Sequence, residues 1–440
     1  MTNLPFGFSS NDPDDSGENK PSGQGPFGPM GEGGAFDVSQ LGQMLSQLGQ
    51  MLSQQGNQAG PVNYDLARQI AIQQLTPSGL GGPEQADAVS DAVRLAETWL
   101  ESATAFPAGA TRSAAWSARD WVENTMPTWQ RLCDPVARRV SGAWVEALPE
   151  EAKQVAGPML AMVSQMGGMA FGSQLGGALA QLGAEVLTST DIGIPLGPEG
   201  VAALLPANIE KFTAGLERPA GEVMVYLAAR EAAHQRLFAH VPWLRQRLLA
   251  TVEEYASGIK VDTSALEQLA TQVDPSNPES IEQMMSSGVL QPQTTAAQQA
   301  ALDRLETLLA LVEGWVDVVV AEAIGDRLPG ADALRETLRR RRASGGPAEQ
   351  TFATLVGLEL RPRRLRAASN LWALVGERHG AKIRDGVWAH PDLVPTSADL
   401  DEPLDFADRL GDGPSELGDD PMAELERAEQ AERDDRDKPE

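Results

Sequence analysis

The chain is predicted to be mostly α-helical, on three observations. From Tyr64 onward apolar residues recur at helical spacing. Strand-like alternation is scarce, and 3 Tyr with 10 Phe leave few of the aromatics that pleated sheets favour. Apolar residues make up 42 % of 440 positions, an ordinary globular share in a chain long enough to bury a sizeable core.

The expected organisation is an arm over 1–60, a helical domain over 61–405 and an acidic tail over 406–440. The arm is rich in Gly, Pro, Ser, Gln and Asn. It has too few large apolar groups to offset the entropy of ordering, so disorder is expected. Within it Leu41-Gly-Gln-Met-Leu-Ser-Gln47 is repeated as Leu48-Gly-Gln-Met-Leu-Ser-Gln54. Two repeats suit a short amphipathic helix but fall short of a coiled coil.

Next come three expected helices, Ala86 to Ala103, Trp116 to Thr125 and Pro135 to Ala147. Gln154 to Ala184 then carries no charged residue. Its Gly168, Gly172 and Gly176 recur at the spacing that lets helices approach closely in membranes. Ser164, Gln165, Ser173, Gln174 and Gln181 oppose insertion, and no basic or aromatic belt flanks the segment. Buried helices packed through their glycines are expected rather than a membrane span.

Glu222 to His240 reads as one helix, preceded by Pro219 and Gly221 and ended before Pro242. It contains Arg230-Glu-Ala-Ala-His234, which is the zinc-peptidase signature His-Glu-x-x-His with arginine in the first position. Arg230 and His234 lie one turn apart on one face, and Glu231 borders it. Arginine stays protonated and has no lone pair for a metal.

Further on, Glu313 and Asp317 stand one turn apart in the apolar run Leu308 to Val320. Charges are rarely buried unless paired or metal-bound, so both need partners. One candidate pairing puts the Arg230 guanidinium in the metal's place, on Glu313.

Nine arginines fall between Arg335 and Arg366. The stretch lacks interleaved aromatics for base stacking, and a net charge of −27 opposes nucleic-acid binding. Its expected partner is the acidic tail or solvent. From Asp399 to Glu440 there are 17 acidic and 5 basic residues, a composition typical of solvated tails. The lone Cys133 excludes an intramolecular disulfide, and the N-terminus lacks the basic start of a secretory signal. A cytoplasmic protein is expected.

These motifs resemble a bacterial family of zincin-type hydrolases, often called zinc-dependent metalloproteases. The resemblance rests on Arg230 to Phe238 with Val241-Pro-Trp-Leu244, on Val312-Glu-Gly-Trp-Val-Asp317, on Gly345 to Phe352 and on Trp388-Ala-His-Pro-Asp392. It spans roughly 60–405. It implies a zincin-like helical fold, zinc as cofactor, His234 and Glu313 as metal ligands and Glu231 as catalytic base. Asp317 would support a ligand. Members with the full motif carry histidine where this chain has Arg230.

Two functions therefore follow. One is a peptidase-like metallohydrolase with a degenerate zinc site. The other is a non-catalytic interaction protein in which Arg230 replaces the metal and pairs with Glu313. A peptide or protein is the expected substrate or partner in either case.

Overall fold

The computed structural model describes residues 60–76, 83–146, 157–216, 218–258, 295–343 and 364–411. The N-terminal arm with its repeat, the Gly345 to Phe352 segment, Arg361, Arg363 and the tail beyond Gly411 lie outside the described residues. In chain order run α1 (Tyr64–Gln74), α2 (Pro83–Leu100), β1 (Arg112–Ala115), α3 (Ala118–Glu146), α4 (Gly157–Gly183), β2 (Val201–Leu204), α5 (Pro206–Ala214), α6 (Ala220–His240) and α7 (Pro242–Ser257). They are followed by α8 (Ala296–Ile324), α9 (Ala331–Ala343), α10 (Leu365–Gly386), α11 (Ser397–Asp401) and α12 (Pro403–Gly411). The expected domain end at 405 falls inside α12.

Two helices organise the packing because each has a stretch with no solvent-facing side. In α6 every residue from Tyr226 to Leu237 is buried, and in α8 every residue from Thr307 to Val320. A helix apolar all round belongs in a core. The charged residues within these stretches must then find partners inside it. The start of α8 is set by a capping box in which Thr295 and Gln298 satisfy each other's backbone N–H groups.

The two helices expected at Trp116 to Thr125 and Pro135 to Ala147 are one, α3, with Pro127 and Pro135 inside it. The reason lies in which face the prolines occupy. Trp121, Thr125, Trp129, Leu132 and Val136 form a continuous buried stripe across both. Pro127 is exposed, and the carbonyls freed by the two prolines belong to Glu123 and Arg131, both exposed and open to water. Cys133 lies on the buried side, where burial pushes its thiol up, out of the reactive range.

The uncharged segment forms α4, which packs against α1. A Cβ at Gly172 would stand 2.4 Å from the Asn63 carbonyl oxygen, and one at Gly176 would stand 2.6 Å from that of Ala67. The glycines thus serve contact between two helices of the protein. Among the described residues no helix is long and apolar enough to cross a membrane.

A two-stranded parallel sheet pairs β1 with β2, from Arg112 opposite Val201 to Ala115 opposite Leu204. On the other side of β2, Ser189 N donates to Ala203 O at 2.9 Å and Leu205 N to Leu187 O at 2.9 Å. This fastens the loop 188–194 beside α6.

Candidate functional site

Three side chains named from the sequence meet where α6 faces α8. Arg230 Nη2 donates to Glu313 Oε2 at 2.6 Å. His234 Nε2 lies 3.0 Å from Glu313 Oε1, and His234 Nδ1 lies 2.8 Å from the Arg230 carbonyl oxygen. Both ring nitrogens therefore lie within hydrogen-bonding distance of an oxygen. Arg342 of α9 forms a second ion pair with Glu313 Oε2 and donates through Nη2 to Asp191 O at 2.5 Å.

The electrostatics follow from this crowding of cations. Burial opposes ionisation of Glu313, yet Arg342, His234 and Arg230 together hold its carboxyl well below the usual carboxylate range. Burial likewise disfavours the Arg230 charge, and Glu313, Tyr226, Asp317 and Asp191 together more than offset that loss. The turn Thr190 to Gly193 closes over the carboxylate. Gly193 has φ +77, and a Cβ there would stand 2.8 Å from Glu313 Oε1, so glycine is needed for both conformation and space.

Glu231 points to a different set of partners. Its Oε1 accepts from Ser189 Oγ at 2.5 Å and Gln235 Nε2 at 2.9 Å. Its Oε2 accepts from Thr190 Oγ1 at 2.6 Å and Thr190 N at 3.1 Å. With 0 % of the residue exposed, the carboxylate is fully satisfied within the protein. In this arrangement it ties α6 to the loop beside β2.

Asp317, one turn beyond Glu313, is held by α9. Arg335 donates to both carboxylate oxygens at 2.9 and 2.5 Å, and Arg339 Nη2 donates at 2.6 Å. Burial pushes the Asp317 carboxyl up, but these arginines and Arg230 bring it below its ordinary value. Arg341 adds a contact to Asp191 Oδ2 at 3.4 Å and lies over the Phe212 ring. Of the described part of the basic stretch, Arg335, Arg339, Arg341 and Arg342 thus meet carboxylates beside the site, while Arg340 pairs with Glu336 and Arg364 donates to Ser397. The tail beyond Gly411 is outside the described residues.

These donors do not fit a catalytic zinc, which takes three protein ligands and leaves one position open. His234 and Glu313 provide two, one Glu313 oxygen is shared by two guanidiniums, and Arg230 offers no lone pair. The other histidines are engaged elsewhere. His240 contacts Pro107 O at 3.1 Å, His379 contacts Ala407 O at 2.8 Å, and His390 stands beside Asp392. Among the described residues no group of three or more His, Cys, Asp or Glu side chains is placed to hold a metal.

Sequence spacing missed Ser189, Thr190, Asp191 and Gly193. The only local signal is a short polar run between apolar neighbours, Thr188 to Asp191, ending near a glycine. It also missed the destination of Arg342. The other motif segments meet away from the ion pairs. Trp243 Nε1 donates to Trp388 O at 2.9 Å, and Trp388 stacks on Trp372. Trp315 donates to Asp385 Oδ1 at 2.8 Å, next to the fully buried Arg384.

Residues 62–407 match the family described as zincin-like metallopeptidase. A protein from Chloroflexus aurantiacus, whose crystal structure is described as that of a candidate hydrolase with a novel fold, is similar with a TM-score of 0.56. The two share 18 % identity over 80 % of this chain and 99 % of that one, a likeness of fold alone. No curated protein shows significant similarity to the chain.

Proposed function

We propose, from the premise that the chain belongs to the zincin-like metallopeptidase family, that it is a metal-free member which acts by binding a peptide or protein. One observation carries this reading. The Glu313 carboxylate, a ligand by family resemblance, is neutralised by Arg230, Arg342 and His234. Guanidinium suits a buried carboxylate because it stays charged and spreads its donors in a plane. Glu231 then serves as a structural acceptor for Ser189, Thr190 and Gln235.

The competing reading, a zinc-dependent hydrolase, has in its favour the family and the retained Glu231 and His234. It requires a third donor, displacement of Arg230 from Glu313 and release of Glu231 from its four hydrogen bonds. The metal-free reading requires none of these changes.

Elemental analysis of untagged wild type and Arg230→His decides between them. The expected result is no stoichiometric zinc in the wild type, with zinc regained in the variant. Stoichiometric zinc in the wild type, together with hydrolysis lost in Glu231→Gln, would sink the metal-free reading.

A further inference from the structure

Helix α9 covers the site, and it is held there mainly by charge. Its Arg342 side chain is 18 % exposed where Glu313 is 5 % exposed, and Arg335 and Arg339 are 26 % and 25 % exposed over an Asp317 at 3 %. The arginines thus stand between the carboxylates and water. The carboxylates belong to parts fixed without them. Glu313 and Asp317 sit in the fully buried stretch of α8, and Asp191 sits in the loop tied to β2.

The apolar grip of α9 on the body is small: Leu334 and Leu338 are buried, the partly buried Ala331 packs beside them, and Leu328 precedes the helix. Before it, α8 stops at Gly325, whose φ of 46° and ψ of −131° suit glycine and no other residue without strain. A short 3-10 turn, Gly325–Arg327, then leads to α9. The cover therefore joins α8 through a glycine corner and a short turn, not through a continuous helix.

We infer that α9 is a displaceable cover, and that a partner reaches Arg230, Glu313 and His234 when it lifts. This deepens the binding function proposed above and rests on it only for the identity of what enters. The ion pairs are accessible enough for salt to screen them, unlike the deeper Arg230–Glu313 contact. Lifting α9 also leaves the centre intact. Glu313 keeps Arg230 and His234, while Asp317 loses both arginines and becomes hydrated.

The test is native-state hydrogen exchange on the full chain, read by mass spectrometry at low and high sodium chloride. Raising salt from about 50 to about 500 mM is expected to speed exchange of the α9 amides about tenfold, with the Thr307 to Val320 amides unchanged. Arg342→Ala is expected to speed α9 exchange at low salt and to blunt its salt response. The cover is refuted if α9 exchanges in step with α8, or if its exchange ignores salt; the wild-type series alone settles this even if the variant misfolds. Salt-dependent opening of a zinc-loaded protein would uphold the cover and refute the metal-free reading.

Discussion

Arg230 and Glu313, 83 residues apart in the chain, meet with their Nη2 and Oε2 atoms 2.6 Å apart between two helix stretches that are buried on all sides. Both side chains are largely buried, so each charge depends on the other and on the groups around them. A buried ion pair does not by itself make a protein more stable than an apolar replacement would. Losing one partner from an existing pair is costly.

Arg230→Ala should therefore lower stability, but less than a lone buried pair would, because Glu313 keeps His234 and Arg342. A loss of about 1–3 kcal/mol is expected, read from the midpoint of urea unfolding at constant slope. An unchanged midpoint would mean that the contact contributes nothing to holding α6 on α8.

Acid sensitivity should trace in part to Glu313. Its folded-state pKa is depressed, so the unfolded chain takes up the proton first as pH falls. The stability from this group is complete above the ordinary carboxylate value of 4.5 and is lost progressively below it. Comparing pH-dependent unfolding of wild type and Glu313→Gln should show curves whose separation shrinks as the solution is acidified through that region. Parallel curves would contradict the assignment.

The contact between α1 and α4 gives a paired test within one helix. Gly172→Ala brings a methyl group to 2.4 Å from the Asn63 carbonyl and should cost about 1–3 kcal/mol. At Gly177 the nearest atom to a new Cβ is Gln74 Oε1 at 3.9 Å. Alanine there should be neutral or stabilising by up to about 1 kcal/mol, since it favours helix over glycine. Thermal unfolding of both variants separates packing from propensity.

Asp385→Ala should be the most damaging of these changes. The carboxylate accepts from Thr104 Oγ1 at 2.6 Å, Ala105 N at 2.7 Å, Trp315 Nε1 at 2.8 Å and Arg384 Nε at 3.0 Å. Its loss strands several donors, among them part of an arginine whose side chain is 0 % exposed. A cost of about 3–5 kcal/mol is expected, and Asp385→Asn should recover part of it by keeping an acceptor. Equal stability of Asp385→Ala and wild type would show that the network is dispensable.

Helix content was legible because periodicity is local. The run from Thr307 through Val320 is apolar enough that burial follows largely from composition. Tyr226 to Leu237, by contrast, carries Arg230, Glu231, His234, Gln235 and Arg236 and is buried only because each finds a partner. Where periodicity misled, the missing information was three-dimensional. Pro127 and Pro135 read as a break in α3, yet they sit where the carbonyls they free can reach water. The glycines of α4 carried a packing signal whose object, the backbone at Asn63 and Ala67, no local pattern names.

By itself the sequence determined that Arg230 and His234 share a helix face, that Glu313 and Asp317 need cations, and that Arg230 cannot ligate a metal. These follow from helical geometry, from the cost of burying charge and from the chemistry of guanidinium. Only the tertiary structure decided which cations answer which carboxylates. It gave Asp317 to Arg335 and Arg339, added Arg342 to Glu313 and engaged Glu231 with Ser189 and Thr190. Pairing of buried charges depends on distances between elements far apart in the chain, and packing sets those distances, which spacing along the chain does not encode.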